Sequence, residues 1–199
     1  MPKFTGFFNY FTELEKLEIQ DIALYAQFKN DPKILENRVG NLILYPHIIP
    51  VSTEDLTFNL GLLKAALKVS GQKLYSKNFK RIYIPQNLLE FFPDLSKLIV
   101  PFVDILNPSG ITTILCKSAM GGKNLGTVIK PETLANGTVD IFIQRKRYQI
   151  KTGSFMVIPA DGERVDIKFE SNTSKLEKQN ILITEVAGGR LGLVVDVRR

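Results

Sequence analysis

The sequence predicts an α/β protein in three parts: an aromatic helical segment over residues 1–30, an α/β region over 31–120, and a small all-β barrel or sandwich over 124–199. Three observations carry this reading. Apolar residues recur at helical spacing after Ser52. A strand, a helix and a second strand follow one another between Arg81 and Leu115, the order of a βαβ unit with its right-handed crossover. After Gly121-Gly122, short β-branched runs repeat at intervals of about 8–12 residues, as in small barrels and sandwiches.

The chain opens on five aromatics within eight residues: Phe4, Phe7, Phe8, Tyr10 and Phe11. A helix is expected to follow as far as Phe28, with Phe11, Leu14, Leu17, Leu24 and Phe28 inclined to one side. The aromatics either cap the core or dock onto a partner or membrane surface. Their density exceeds what one terminal turn needs to bury, which favours a partner-facing element.

Asp31-Pro32 reads as a break, and Pro46 and Pro50 bracket an extended stretch. Ser52 with Asp55 three residues on forms a capping-box pattern. The helix it opens carries Leu56, Leu60, Leu63 and Leu67, and Gly71 closes it. Arg81–Ile84 reads as a buried strand stopped by Pro85. A helix runs from Asp94 to Leu106, with Pro101 a point of interruption, and Ile111–Leu115 is the next strand. Further strands are expected over 125–130, 138–143, 147–151, 154–158, 164–169, 181–186 and 191–197. Asn136-Gly137, Asp161-Gly162 and Gly188-Gly189 supply turns between them.

Composition narrows the function classes. Of 199 residues, 44% are hydrophobic and 23% charged, the balance of a folded globular chain. The net charge of +6 permits contact with nucleic acid or an acidic surface without requiring it. A single cysteine, Cys116, excludes an internal disulfide, and in its apolar run it reads as a small buried hydrophobe. The single histidine, His47, cannot build a histidine–cysteine zinc site with it, and no serine sits in a nucleophile elbow. No basic-then-apolar signal and no run of about 20 apolar residues is present, so a cytoplasmic chain without a transmembrane segment is expected. The glycosylation patterns at Asn136 and Asn172 are then chance.

Gly121-Gly122-Lys123 lacks the spacing and the following Ser/Thr of a phosphate loop and reads as a domain hinge. Arg145, Lys146 and Arg147, with Lys151 close by, form the densest basic cluster, at an expected hairpin turn where charge is normally solvated. Their functional alternative is an anion or nucleic-acid contact, with Tyr148 as a stacking face. Asp161, Glu163 and Asp166 read as solvated turn acids rather than an acid–base pair. No catalytic, cofactor or metal site is expected.

Several segments taken in order resemble the glutamate mutase L family. They are Asn41–Pro50 with Ser52–Leu56 and the helix containing Ala65-Ala66-Leu67, then Arg81–Ile84, Asn107–Thr113 and Asn124–Ile129. The tail Gly188-Gly189-Arg190-Leu191-Gly192-Leu193-Val194-Val195-Asp196-Val197-Arg198 resembles the family's closing block, and the likeness is collinear over roughly 25–198. The resemblance implies an actin-like ATPase fold, associated with adenosylcobalamin-dependent glutamate mutase and its reactivation. It covers only the C-terminal part of that family. Where the family carries a glycine-rich nucleotide loop, this chain has Pro85-Gln86-Asn87-Leu88. Phosphates approach backbone N–H groups closely only where side chains are absent, and proline has no N–H, so ATPase activity does not carry over.

The expectation is therefore a non-enzymatic interaction or scaffold protein, a reduced actin-like α/β half joined to a β domain, acting through a protein partner or self-association. One alternative is half of a split ATPase or mutase-reactivating factor completed by another chain. The other is weak nucleic-acid binding through the basic hairpin. ATP binding by the isolated chain is not expected.

Overall fold

A computed structural model describes residues 5–7, 13–26, 31–45, 48–71, 80–92, 94–118, 121–131, 138–143, 146–162, 164–171 and 181–198. The chain divides into a helical unit drawn from residues 6–77 and 84–107, and a strand unit drawn from 1–5, 78–83 and 108–199.

The helical unit contains α1 (Ile19–Ala26), α2 (Pro32–Leu44), α3 (Thr53–Gly71), α4 (Gln86–Phe91) and α5 (Leu95–Leu106). α3 is its centre, packing against both α1 and α5. The helix starts as its sequence predicts: the Ser52 hydroxyl accepts the Asp55 N–H at 3.0 Å and donates to the Asp55 carboxylate at 2.6 Å. Burial is wider than the expected leucine stripe. Phe58, Leu62, Ala65 and Ala66 are buried beside Leu63 and Leu67, because neighbours cover the helix on more than one side. α5 begins at Asp94, whose carboxylate accepts the Ser96 N–H, and runs unbroken through Pro101 to Asn107 in the left-handed conformation at φ 44°. Pro101 does not interrupt it; the ring is buried among the apolar residues of the unit.

Two helical expectations need correction. α2 occupies residues where only a break was read. Asp31 is its cap, accepting the Lys33 N–H at 2.9 Å, and Pro32 opens the helix where a missing N–H costs nothing. Leu35, Val39 and Leu42 then recur on its buried side. The helix expected as far as Phe28 is interrupted on the way, and Phe28 itself lies outside the described residues. A turn at 15–16, closed by Lys16 N–H to the Glu13 carbonyl, resets the phase before α1. Leu14 and Ile22 are buried as a result, while Leu24, placed on the apolar side by unbroken periodicity, is 71% exposed.

The strands are β1 (Thr5–Phe7), β2 (Arg81–Pro85), β3 (Gly110–Ser118), β4 (Gly121–Lys130), β5 (Thr138–Ile143), β6 (Lys146–Lys151), β7 (Phe155–Ala160), β8 (Val165–Ser171), β9 (Ile181–Val186) and β10 (Gly189–Asp196). All seven segments expected after residue 124 form strands, but they do not close a barrel. They divide between a mixed sheet, ordered β1-β2-β3-β4-β10-β7, and an open antiparallel sheet, ordered β6-β5-β8-β9. The cause is the pairing of β4 with β10, which is parallel, from Gly192 opposite Gly126 to Val195 opposite Ile129. Parallel neighbours need a long connection, and β5 to β9 supply it. Ile141, Ile150 and Ile167 of the antiparallel sheet share one apolar cluster with Ile129, Ile158 and Leu193 of the mixed sheet.

Gly121-Gly122-Lys123 is not a hinge. It opens β4, with Gly122 paired to Lys117 and Gly121 to Ser118, so the boundary placed near 118–124 crosses a hairpin. Two glycines in the parallel seam are required by contact. A Cβ on Gly126 would lie 2.2 Å from the Gly192 carbonyl oxygen, and one on Gly192, at φ 75°, would lie 2.3 Å from that of Ile158.

Candidate interaction surface

In the helical unit, α2 and the start of α3 present matching triads. Arg38, Asn41 and Leu42 on one helix, and Asp55, Phe58 and Asn59 on the other, each follow i, i+3, i+4 spacing, which places them on one helix face. With Ile48, Ile49, Pro50 and Val51 of the connecting segment they line a cleft of about 210 Å³. The Arg38 guanidinium braces the two helices, donating to Glu54 at 2.9 Å and Asp55 at 2.7 Å while lying 4.4 Å from the Phe58 ring centre. The Ser52 hydroxyl above all, together with Arg38, holds the Asp55 carboxyl below its ordinary value against the opposing effect of burial. The Arg38–Asp55 pair is therefore charged and internally satisfied at neutral pH.

The end of α2 and the segment leading to α3 expose large apolar side chains. Leu44 is 71% exposed, Tyr45 58%, Ile48 57%, Ile49 54% and Val51 95%. Sequence reasoning assigned Pro46–Pro50 an extended form but no role. The available signal was the apolar run Leu42–Ile49 between a helix and a proline, too rich in large side chains for a solvated connection.

The basic hairpin is organised differently from its sequence reading. Arg145 lies outside the described residues. Lys146 and Arg147 alternate along β6, so a strand's period of two sends them to opposite faces, with Lys151 on the side of Arg147. Arg147 is committed to Asp140, which is 3% exposed, through contacts of 3.1 Å and 2.8 Å. Tyr148, read as a stacking face beside these charges, instead packs against the apolar cluster.

The closing block that carries the family resemblance ends in a clasp. The Asp196 carboxylate, 1% exposed, accepts the Arg198 N–H at 3.1 Å and its guanidinium at 2.8 Å, and Lys130 approaches at 3.3 Å. Burial pushes its carboxyl up, but the hydrogen bonds from Arg198 and the charge of Lys130 outweigh that and leave it below its ordinary value. Arg198 also lies 4.7 Å from the Phe155 ring centre, tying the end of β10 to β7. Every charge in this clasp faces an opposite one, the arrangement of a structural tie.

Among the aromatics of the first segment, Phe7 ends β1, while Phe4, Phe8, Tyr10 and Phe11 lie outside the described residues, as do His47, Asn136 and Asn172. Cys116 is buried in β3, as its apolar context predicts. Pro85 caps α4 directly after β2, and Leu88 is buried inside the fold. Among the described residues no helix is long and apolar enough to cross a membrane. Comparison with known families, curated proteins and solved structures finds no match for this chain.

Proposed function

We propose that this protein is a non-catalytic interaction or scaffold protein, and that the segment Leu44–Val51 of the helical unit is a contact surface for a protein partner. One observation carries the reading: five large apolar side chains within eight residues stand more than half exposed. Scattered apolar residues on a surface are ordinary, whereas a contiguous group loses free energy in water at every exposed position until a partner covers it. The aromatic run Phe4, Phe7, Phe8, Tyr10 and Phe11 extends the proposal on sequence grounds alone. The collinear likeness to the glutamate mutase L family supports a descent from an actin-like ancestor without its phosphate loop.

The test is site-specific photo-crosslinking in the native cell. A photoreactive residue at Val51 should yield a discrete protein adduct, lost when Ile48 and Ile49 are both changed to Ser. No adduct from Val51, with a discrete one from Lys146 on the strand unit, would overturn the assignment.

A further inference from the structure

The two units do not share the positive charge of the chain. Residues 1–5, 78–83 and 108–199 hold 17 Lys and Arg against 9 Asp and Glu, a net +8, which leaves the helical unit at −2. In the strand unit Asp140, Glu185 and Asp196 are each paired with an arginine. Pairing then gathers cations at one end of the mixed sheet. The Lys80 carbonyl accepts the Thr113 N–H of β3 at 3.0 Å, and Arg81 starts β2. Lys117 lies opposite Gly122, and Lys123 pairs with Cys116 at the start of β4. Arg190 follows Gly189, which lies against the Asn124 and Leu125 carbonyls. All five cations are exposed. β2, β3, β4 and β10 are neighbours in that order, so the row runs across three strand spacings, about 15 Å. These four strands carry a single acid, Asp196, at the far end of β10 and held by Arg198 and Lys130. Asp161, exposed after β7, flanks the Arg190 side.

We propose that this end of the mixed sheet binds single-stranded nucleic acid, the row of cations following the phosphates while the Tyr83 ring stacks on a base. The site is separate from the contact surface of the helical unit and does not depend on it. Charge by itself would suit any polyanion, and two observations narrow the choice. Tyr83 lies two residues along β2 from Arg81, on the same face, and is half-buried. Its ring reaches across β3, where a Cβ on Gly122 would lie 3.4 Å from its Cε1, so an aromatic group stands among the cations. Cations that track a backbone beside an aromatic face are how single strands are held without regard to sequence. A membrane surface would instead call for exposed apolar side chains beside the charge. Among the described residues every exposed large apolar side chain belongs to the helical unit.

The probe is a fluorescein-labelled oligothymidylate of about 16 nucleotides, as long as one such site takes, titrated into the full chain and followed by anisotropy. Between about 50 and 200 mM salt, log affinity should fall linearly with log salt, by about 0.7 for each phosphate neutralised. Changing Lys80, Arg81 and Lys123 together to Gln should make that slope shallower by about 2 while the protein melts with the parent. Lys146→Gln with Lys151→Gln on β6 should leave the slope unchanged. Tyr83→Leu should weaken binding about tenfold, and Tyr83→Phe, which keeps the ring, should bind as the parent does. Absence of saturable binding at the lowest salt, or an unchanged slope in the triple variant, would overturn the proposal. An equal change from the β6 pair would do the same, because binding would then follow net charge rather than this row. Parental affinity in Tyr83→Leu would remove the stacking and with it the choice of nucleic acid. Displacement of the oligonucleotide by vesicles of anionic phospholipid, at matched charge, would assign the surface to a membrane.

Discussion

Among the described residues, the strand unit pairs its buried carboxylates, whereas the helical unit leaves an apolar segment in water. In the first, the buried carboxylates Asp140 and Asp196 each meet an arginine, and β-branched residues from both sheets close on one apolar cluster. In the second, the core around α3 is also closed, but the α2–α3 connection leaves Ile48, Ile49 and Val51 exposed. Both units obey the same rules of burial, so the difference locates where the molecule meets something else. A fold that can bury its isoleucines in one place and leaves them in water in another gains from that only when they are covered.

The sharpest way to break the comparison is at the seam of the strand unit. Gly192→Ala places a Cβ into the Ile158 carbonyl oxygen at a backbone angle that side chains rarely adopt. Overlap and strain together should cost about 4 kcal/mol or more, a large part of the stability of an ordinary domain. Thermal melting should show the strand unit lost or shifted far down, whereas an alanine at Gly40, with nothing within 4 Å of its Cβ, should leave the melt of the helical unit unchanged or raised.

The Asp196 clasp comes next. Asp196→Asn leaves Arg198 and Lys130 facing an uncharged group and should cost about 2 kcal/mol at neutral pH, less than a fully buried pair because both cations are partly exposed. The carboxyl is held below its ordinary value of 3.8 in the fold. Its stabilisation is therefore complete above that value and is lost as the pH falls through the lower folded pKa. Melting temperature measured from pH 6 to pH 2 should fall for the parent at the acid end, and the gap to Asp196→Asn should close there. A constant gap would show that the side chain acts by packing rather than by charge.

What was legible in the sequence follows the same division. The strands after residue 124 stood out because alternation and β-branched residues mark a half-buried strand locally, and Asp161-Gly162 and Gly188-Gly189 mark its ends. How they pair was not legible: β4 lies beside β10 across some 60 residues, and nothing local in Gly126 or Gly192 announces that contact. α2 was missed because Asp31-Pro32 was taken as a stop when the same two residues, read forward, are a cap and a first turn. Arg145, Lys146 and Arg147 read as one solvated cluster at a turn, but Lys146 and Arg147 fall on opposite faces of β6, and Arg147 is held by Asp140 on the neighbouring strand, a pairing that nothing local announces. The cleft escaped notice since its lining comes from two helices and the segment between them, which no local pattern brings together.

The smallest effect should come from the brace across α2 and α3. Arg38 touches Glu54 and Asp55, yet its side chain is 24% exposed and that of Glu54 65%, so water and salt screen the pairs. Its stack on Phe58 adds a contribution of the same modest order. Arg38→Met keeps much of the apolar stem while removing the charge, and should lower stability by about 1 kcal/mol in low salt and less in 1 M salt. Chemical denaturation with urea, which leaves ionic strength unchanged, separates the two conditions. If the loss matched that of Asp196→Asn and ignored salt, the brace would belong with the buried ties of the strand unit. The helical unit would then be as closed as its neighbour, and the contrast between the two would rest on the exposed segment alone.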